Sequence, residues 1–217
     1  MNISTIKSII TYLIMIPLII ASTNQLLKTI NISEINKTDE IAITEYEEAL
    51  LYASKKIKTK PEYLYKVIYI ESKHNHKAIN SKSNAYGLIQ LMETTLKDMN
   101  KNVINFDMTL NELKALNRIE QVEEVIIPYF SLVKKRRKIK RFDTLEDCYF
   151  AVFYPIAINK PYEFVLGSEK NNEKIKKIAR QNSLYDTNKD NKITKQEVAN
   201  YLNNFDFPKD KKTLLNL

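Results

Sequence analysis

Between Thr59 and Met92 the chain reads TKPEYLYKVIYIESKHNHKAINSKSNAYGLIQLM, and this stretch restricts the fold more than any other. Thr59, with Glu62 three residues on and Pro61 inside the first turn, predicts a capped helix start. Along that helix Leu64, Val67, Ile68 and Glu71 fall at i, i+3, i+4 and i+7, so a carboxylate takes the fourth place of the apolar stripe. Burial disfavours the ionised form of such a group and keeps it protonated closer to neutral pH, as a general acid requires. A side chain bent out to solvent at the helix end is the alternative the pattern leaves open. Beyond a polar loop comes Ala85-Tyr86-Gly87-Leu88-Ile89-Gln90, with one of only two glycines in 217 residues. That placement points to backbone angles or a close approach that other residues do not tolerate.

Taken together, Glu71-Ser72, Ala78-Ile79-Asn80 and Ala85-Tyr86-Gly87-Leu88-Ile89-Gln90 resemble the soluble lytic transglycosylases, a family of peptidoglycan-cleaving enzymes. The spacing from Glu71 to Gln90 is similar to that of the subgroup found in phage tails and mobile elements. The resemblance implies an all-α, lysozyme-like fold with Glu71 at the floor of a groove, peptidoglycan glycan strands as substrate, and no cofactor for catalysis. It further implies cleavage of the β-1,4 bond between N-acetylmuramic acid and N-acetylglucosamine, with Glu71 as catalytic acid and then base and a 1,6-anhydromuramic product. Ser72, Tyr86, Gln90 and Tyr154 are the expected substrate-binding residues; Gln90 can donate and accept at once, as a sugar amide or hydroxyl requires. Two other readings stay open: a hydrolytic muramidase, and a non-catalytic calcium-binding glycan or envelope protein.

Net charge adds a preference for anionic partners, since the chain carries +8 at pH 7. Residues 1–23 hold a single charge, Lys7, ahead of the apolar run from Ile9 to Ala21 and read as a signal peptide or an N-terminal anchor. The protein is therefore expected to be exported to the periplasm or cell envelope, with no nucleic-acid partner. The lone Cys148, among Tyr149, Phe150, Val152 and Phe153, reads as a small buried hydrophobe and excludes an internal disulfide. His74 and His76 are the only histidines, which leaves a tetrahedral His/Cys metal site one ligand short. In the resemblance His74 stands where an aromatic is more frequent.

Residues 24–38 read as a linker, 39–166 as the catalytic domain and 167–217 as a C-terminal segment. Helices are expected over Asp39–Lys58, Gln90–Met99, Thr109–Asn117, Arg118–Val133, Asp143–Ile158 and Glu169–Gln181. Glu93 is a second carboxylate near the site, without an assigned role. Lys134 to Arg141 reads KKRRKIKR, either a solvated helix end or a contact with anionic wall or membrane lipid. Tyr154 is set either beside the catalytic acid, where the family carries a tyrosine, or in the core. Finally, DTNKDNKITKQE has the spacing of an EF-hand, with Asp186, Asn188, Asp190, Lys192, Thr194 and Glu197 as ligands of a structural Ca2+. Asn191 takes the place where glycine is preferred and is the next best residue at positive φ.

Overall fold

The computed structural model describes residues 45–207. The expectations for residues 1–38 lie outside them, as do residues 39–44 of the first expected helix; the first described helix, α1, covers residues 45–57. It is followed by α2 (Pro61–Ser72), α3 (Glu93–Asn102), α4 (Leu110–Ala115), α5 (Arg118–Glu120), α6 (Ile127–Arg137), α7 (Leu145–Phe153), α8 (Asn172–Gln181) and α9 (Lys195–Asn204). The fold is all-α and lysozyme-like, as expected; pairing outside the helices is limited to isolated bridges, Ile79–Tyr86, Tyr86–Leu91 and Val165–Thr194. No helix among the described residues is long and apolar enough to cross a membrane.

Helix α2 is central. Its Leu64, Val67 and Ile68 are wholly buried, and the helix packs against α7, whose Cys148, Phe150 and Ala151 are likewise buried. Its start differs from the capping box read in the sequence. Lys60 is the N-cap, with extended backbone and no side-chain cap, because a residue preceding proline is pushed out of the helical region. Thr59 instead donates its hydroxyl to the Phe142 carbonyl at 3.2 Å, and Glu62 pairs with Lys66 one turn on.

Between α5 and α6 the chain widens into a π-helical stretch, Gln121–Ile126, without leaving the helix axis. Pro128 lies in the first turn of α6. A proline lacks the N–H that an α-helical interior uses and crowds the carbonyl four residues back, and one wide turn relieves both conflicts. At the far end, the cationic run closes α6: four cations fill its last turn and Lys138 caps it in the left-handed region, where positive charge complements the helix dipole. Arg136 grips Asp98 with both terminal nitrogens.

From Tyr46 onward the described residues form one compact unit. Ile178, Ala179, Ile193, Val198 and Leu202 belong to the same core cluster as the α2 and α7 residues. Leu166 N–H donates to the Ile193 carbonyl at 2.9 Å and Lys195 N–H to the Phe164 carbonyl at 2.9 Å. Residues 167–207 are thus packed onto the helical core rather than appended to it.

Candidate active site

Glu71 follows Leu64, Val67 and Ile68 on the buried stripe of α2, one residue before the helix ends, and faces a cleft of about 470 Å³. The residue as a whole is partly exposed to the cleft, while its carboxyl lies deep enough to be desolvated. Desolvation alone raises its pKa from 4.5 to about 8, and among the described residues no cation pairs with it. At neutral pH Glu71 therefore holds its proton. Among the described residues that line the cleft it is the sole carboxylate, and Lys73 is the sole cation.

The loop after α2 forms one wall, contributing Asn80, Ser83, Ala85 and Gln90. Gly87 organises it. Its φ of +81° belongs to the left-handed region, and a Cβ there would stand 2.5 Å from the Gln121 Oε1. That oxygen accepts from the Leu88 N–H at 3.0 Å while the Gln121 amide donates to the His76 carbonyl at 2.8 Å. The buried Gln121, carried on the π-helical turn, thereby ties both ends of the loop to the helical core. Gln90 sits in the turn before α3 with φ +47°, not in the helix expected from Gln90 onward. Its Nε2 donates to the carbonyls of Ala78 at 3.2 Å and Gly87 at 3.0 Å. The amide oxygen is left as its remaining hydrogen-bonding group.

Of the expected site residues, the structure brings Glu71 and Gln90 to the cleft. Ser72 is buried and donates its hydroxyl to the Ile68 carbonyl, within its own helix. Tyr86 is buried with its hydroxyl 3.5 Å from the Lys114 carbonyl, a core role. Glu93 is exposed and paired with Lys97. Tyr154 does not line the cleft: Pro155 follows it, α7 ends at Phe153, and the Tyr154 hydroxyl turns to Glu169. Tyr149, on the face of α7 that meets α2, stands there instead, and the nearby Glu71 charge helps push its pKa upward after burial. Its hydroxyl bonds that of Tyr185, a residue of the C-terminal segment whose own pKa is raised to about 12, mainly by burial. Asn182, Leu184, Tyr201 and Phe205 complete that wall. No short motif announces these residues; they meet Glu71 only through the packing of distant segments.

His74 is held away from the cleft, against the rings of Tyr46, Tyr65 and Tyr69. Burial first, then Arg118 and Lys73, lower its pKa to about 4, so it packs as a neutral aromatic. Burial raises the Cys148 thiol to about 12, which leaves it protonated and unreactive.

The loop from Asp186 has the internal bonding of an acidic turn. Asp186 accepts from Asp190 N–H at 3.1 Å and Asn191 N–H at 3.1 Å, Asn188 from Asp190 N–H at 2.9 Å, and Asp190 from Lys192 N–H at 2.9 Å. Asn191 takes φ +62° at the sixth position, where the turn requires it. Glu197 is divided: Oε2 closes a capping box on Thr194, while Oε1 accepts from Thr187 across the start of the loop at 3.3 Å. The spacing of its oxygen donors is that of a calcium loop. Among the described residues, no group of three or more His, Cys, Asp or Glu side chains is already gathered about a point.

Residues 48–117, from α1 to the N-cap of α5, match the family model described as the transglycosylase SLT domain. The likeness covers about a third of the chain. No match was found among curated proteins or among solved structures. The SLT match contains Glu71 and the Gly87–Gln90 turn, and at family level it supports a transglycosylase-type, peptidoglycan-degrading activity. Tyr149 and the C-terminal wall lie outside the matched residues.

Proposed function

We propose that the protein is a lytic transglycosylase that cleaves the β-1,4 bond between N-acetylmuramic acid and N-acetylglucosamine. The observation that carries this reading is a single carboxyl in the cleft, kept protonated at neutral pH by burial alone. Glu71 donates that proton to the leaving glycosidic oxygen as the bond to the anomeric carbon breaks. As carboxylate it then takes the proton of the muramic C6 hydroxyl, whose oxygen bonds to the anomeric carbon and closes the 1,6-anhydro ring. Proton and bond counts balance without an external water. Two-carboxylate hydrolysis needs a second acid across the cleft, and the described lining residues offer none. A hydrolytic muramidase is the competing product outcome. Digestion of purified sacculi separates the two, because the anhydro product is lighter by one water.

The Asp186–Glu197 loop is proposed to hold a structural Ca2+ through Asp186, Asn188, Asp190, the Lys192 carbonyl, Thr194 and Glu197. The ion would supply positive charge that ties the loop to the first turn of α9. Export to the envelope follows from the substrate. Lys135, Arg137, Lys138 and Lys140, which are among the cations of the basic run without a salt-bridge partner in the described residues, would face anionic wall or lipid.

A further inference from the structure

We propose that Lys73 is a specificity-determining residue that takes a carboxylate carried by the muramoyl sugar, and so distinguishes peptidoglycan from a glycan built of N-acetylglucosamine alone. The proposal rests on the transglycosylase reading and adds the group that selects the substrate. Lys73 lies two residues beyond Glu71 and lines the same cleft. It follows the last residue of α2 in the left-handed region, φ +54°, with its N–H bonded to the Tyr69 carbonyl at 3.0 Å. The side chain lies against aromatic rings, its ammonium 3.9 Å from the Tyr69 ring centroid and 5.1 Å from that of Phe205. Two rings thus hold the cation at the cleft wall, and among the described residues no carboxylate neutralises it.

Its charge is not spent on the acid. Glu71 is displaced upward by desolvation with no counteracting cation, so Lys73 is not what sets the proton on Glu71. A cation fixed beside an uncharged acid, in a cleft otherwise lined by neutral side chains, is suited to an anionic group of the ligand. The muramoyl sugar differs from N-acetylglucosamine by its lactyl ether, which ends in a carboxylate on bare strands and in a stem peptide with carboxylates of its own on substituted strands. The shared chemistry is a carboxylate within reach of the sugar ring.

Binding is measured with the full chain bearing Glu71→Gln, so that ligands are not turned over, with and without Lys73→Met or Lys73→Arg. The three probes are a bare N-acetylglucosamine–N-acetylmuramic acid tetrasaccharide, the same tetrasaccharide with stem peptides, and the N-acetylglucosamine tetramer. Lys73→Met is expected to weaken one or both muramoyl ligands about five- to tenfold, the scale of a partly solvated charge-assisted contact, and to leave the tetramer unchanged. Lys73→Arg restores most of the loss. Loss confined to the bare strand assigns the lactyl carboxylate; loss confined to the substituted strand assigns the peptide. Equal effects on all three probes, or no effect on any, overturn the proposal. If the Glu71→Gln chain binds none of them while its thermal melt is intact, the peptidoglycan reading falls and the role proposed for Lys73 with it.

Discussion

Glu71 is held where its two protonation states differ most in cost. The acid step needs the protonated form, so cleavage is expected to fall as pH rises through about 8. The same shift has a sign for stability: the folded pKa lies above the 4.5 of an unburied carboxyl, so the contribution is full below 4.5 and lost as pH rises toward about 8. Glu71→Gln cannot ionise and escapes that loss. Its unfolding free energy should exceed that of wild type by a margin that widens from pH 5 to pH 8 and then levels off, on the order of a few kcal/mol. A margin that does not vary with pH contradicts the buried-acid account. At Gly87, alanine meets both a positive φ and the Gln121 oxygen, and denaturant midpoints should register a loss of about 1–3 kcal/mol. Glu71 and Gln90 were legible because a stripe and a short motif name them. Tyr149 was not, because its place depends on which face of α7 meets α2.

Single elements depart from the sequence pattern where proline intervenes. The start of α2 moves to Lys60 because Pro61 dictates the conformation before it, and the helix through Pro128 widens into a π-turn that no apolar periodicity encodes. Gln121 on that turn fills two backbone vacancies at once. Replacing it with leucine leaves the Leu88 N–H and the His76 carbonyl unpaired and should cost about 1–3 kcal/mol, with weaker substrate binding through the loosened Gly87 loop. In the acidic loop before α9, Asn191 takes the left-handed angle expected of the sixth position. Calcium at about a hundred times its dissociation constant should add about 2.7 kcal/mol to stability. Asp190→Ala should abolish that increment in thermal melts, and an equal increment in the variant contradicts the assignment.

On the scale of the whole molecule, the C-terminal segment shares the cleft and the core of the helices before it. Tyr185, Tyr201 and Phe205 line the cleft opposite the SLT loop, and Ile193, Val198 and Leu202 share its core. Deleting residues 168–217 should therefore expose the α7 face and lower the melting temperature steeply, where an independent module would leave it unchanged. The sequence suggested a boundary at Gly167 because charge and composition change there. It could not show that the apolar positions beyond that glycine face the same core, since residues so far apart in the chain carry no local record of their contact.

The most direct test is the mass of the glycan fragments released from purified sacculi by the wild-type chain and by Glu71→Gln. The account predicts 1,6-anhydromuramic ends from the wild type and none from the variant. Fragments heavier by one water, or undiminished release by Glu71→Gln, would contradict it.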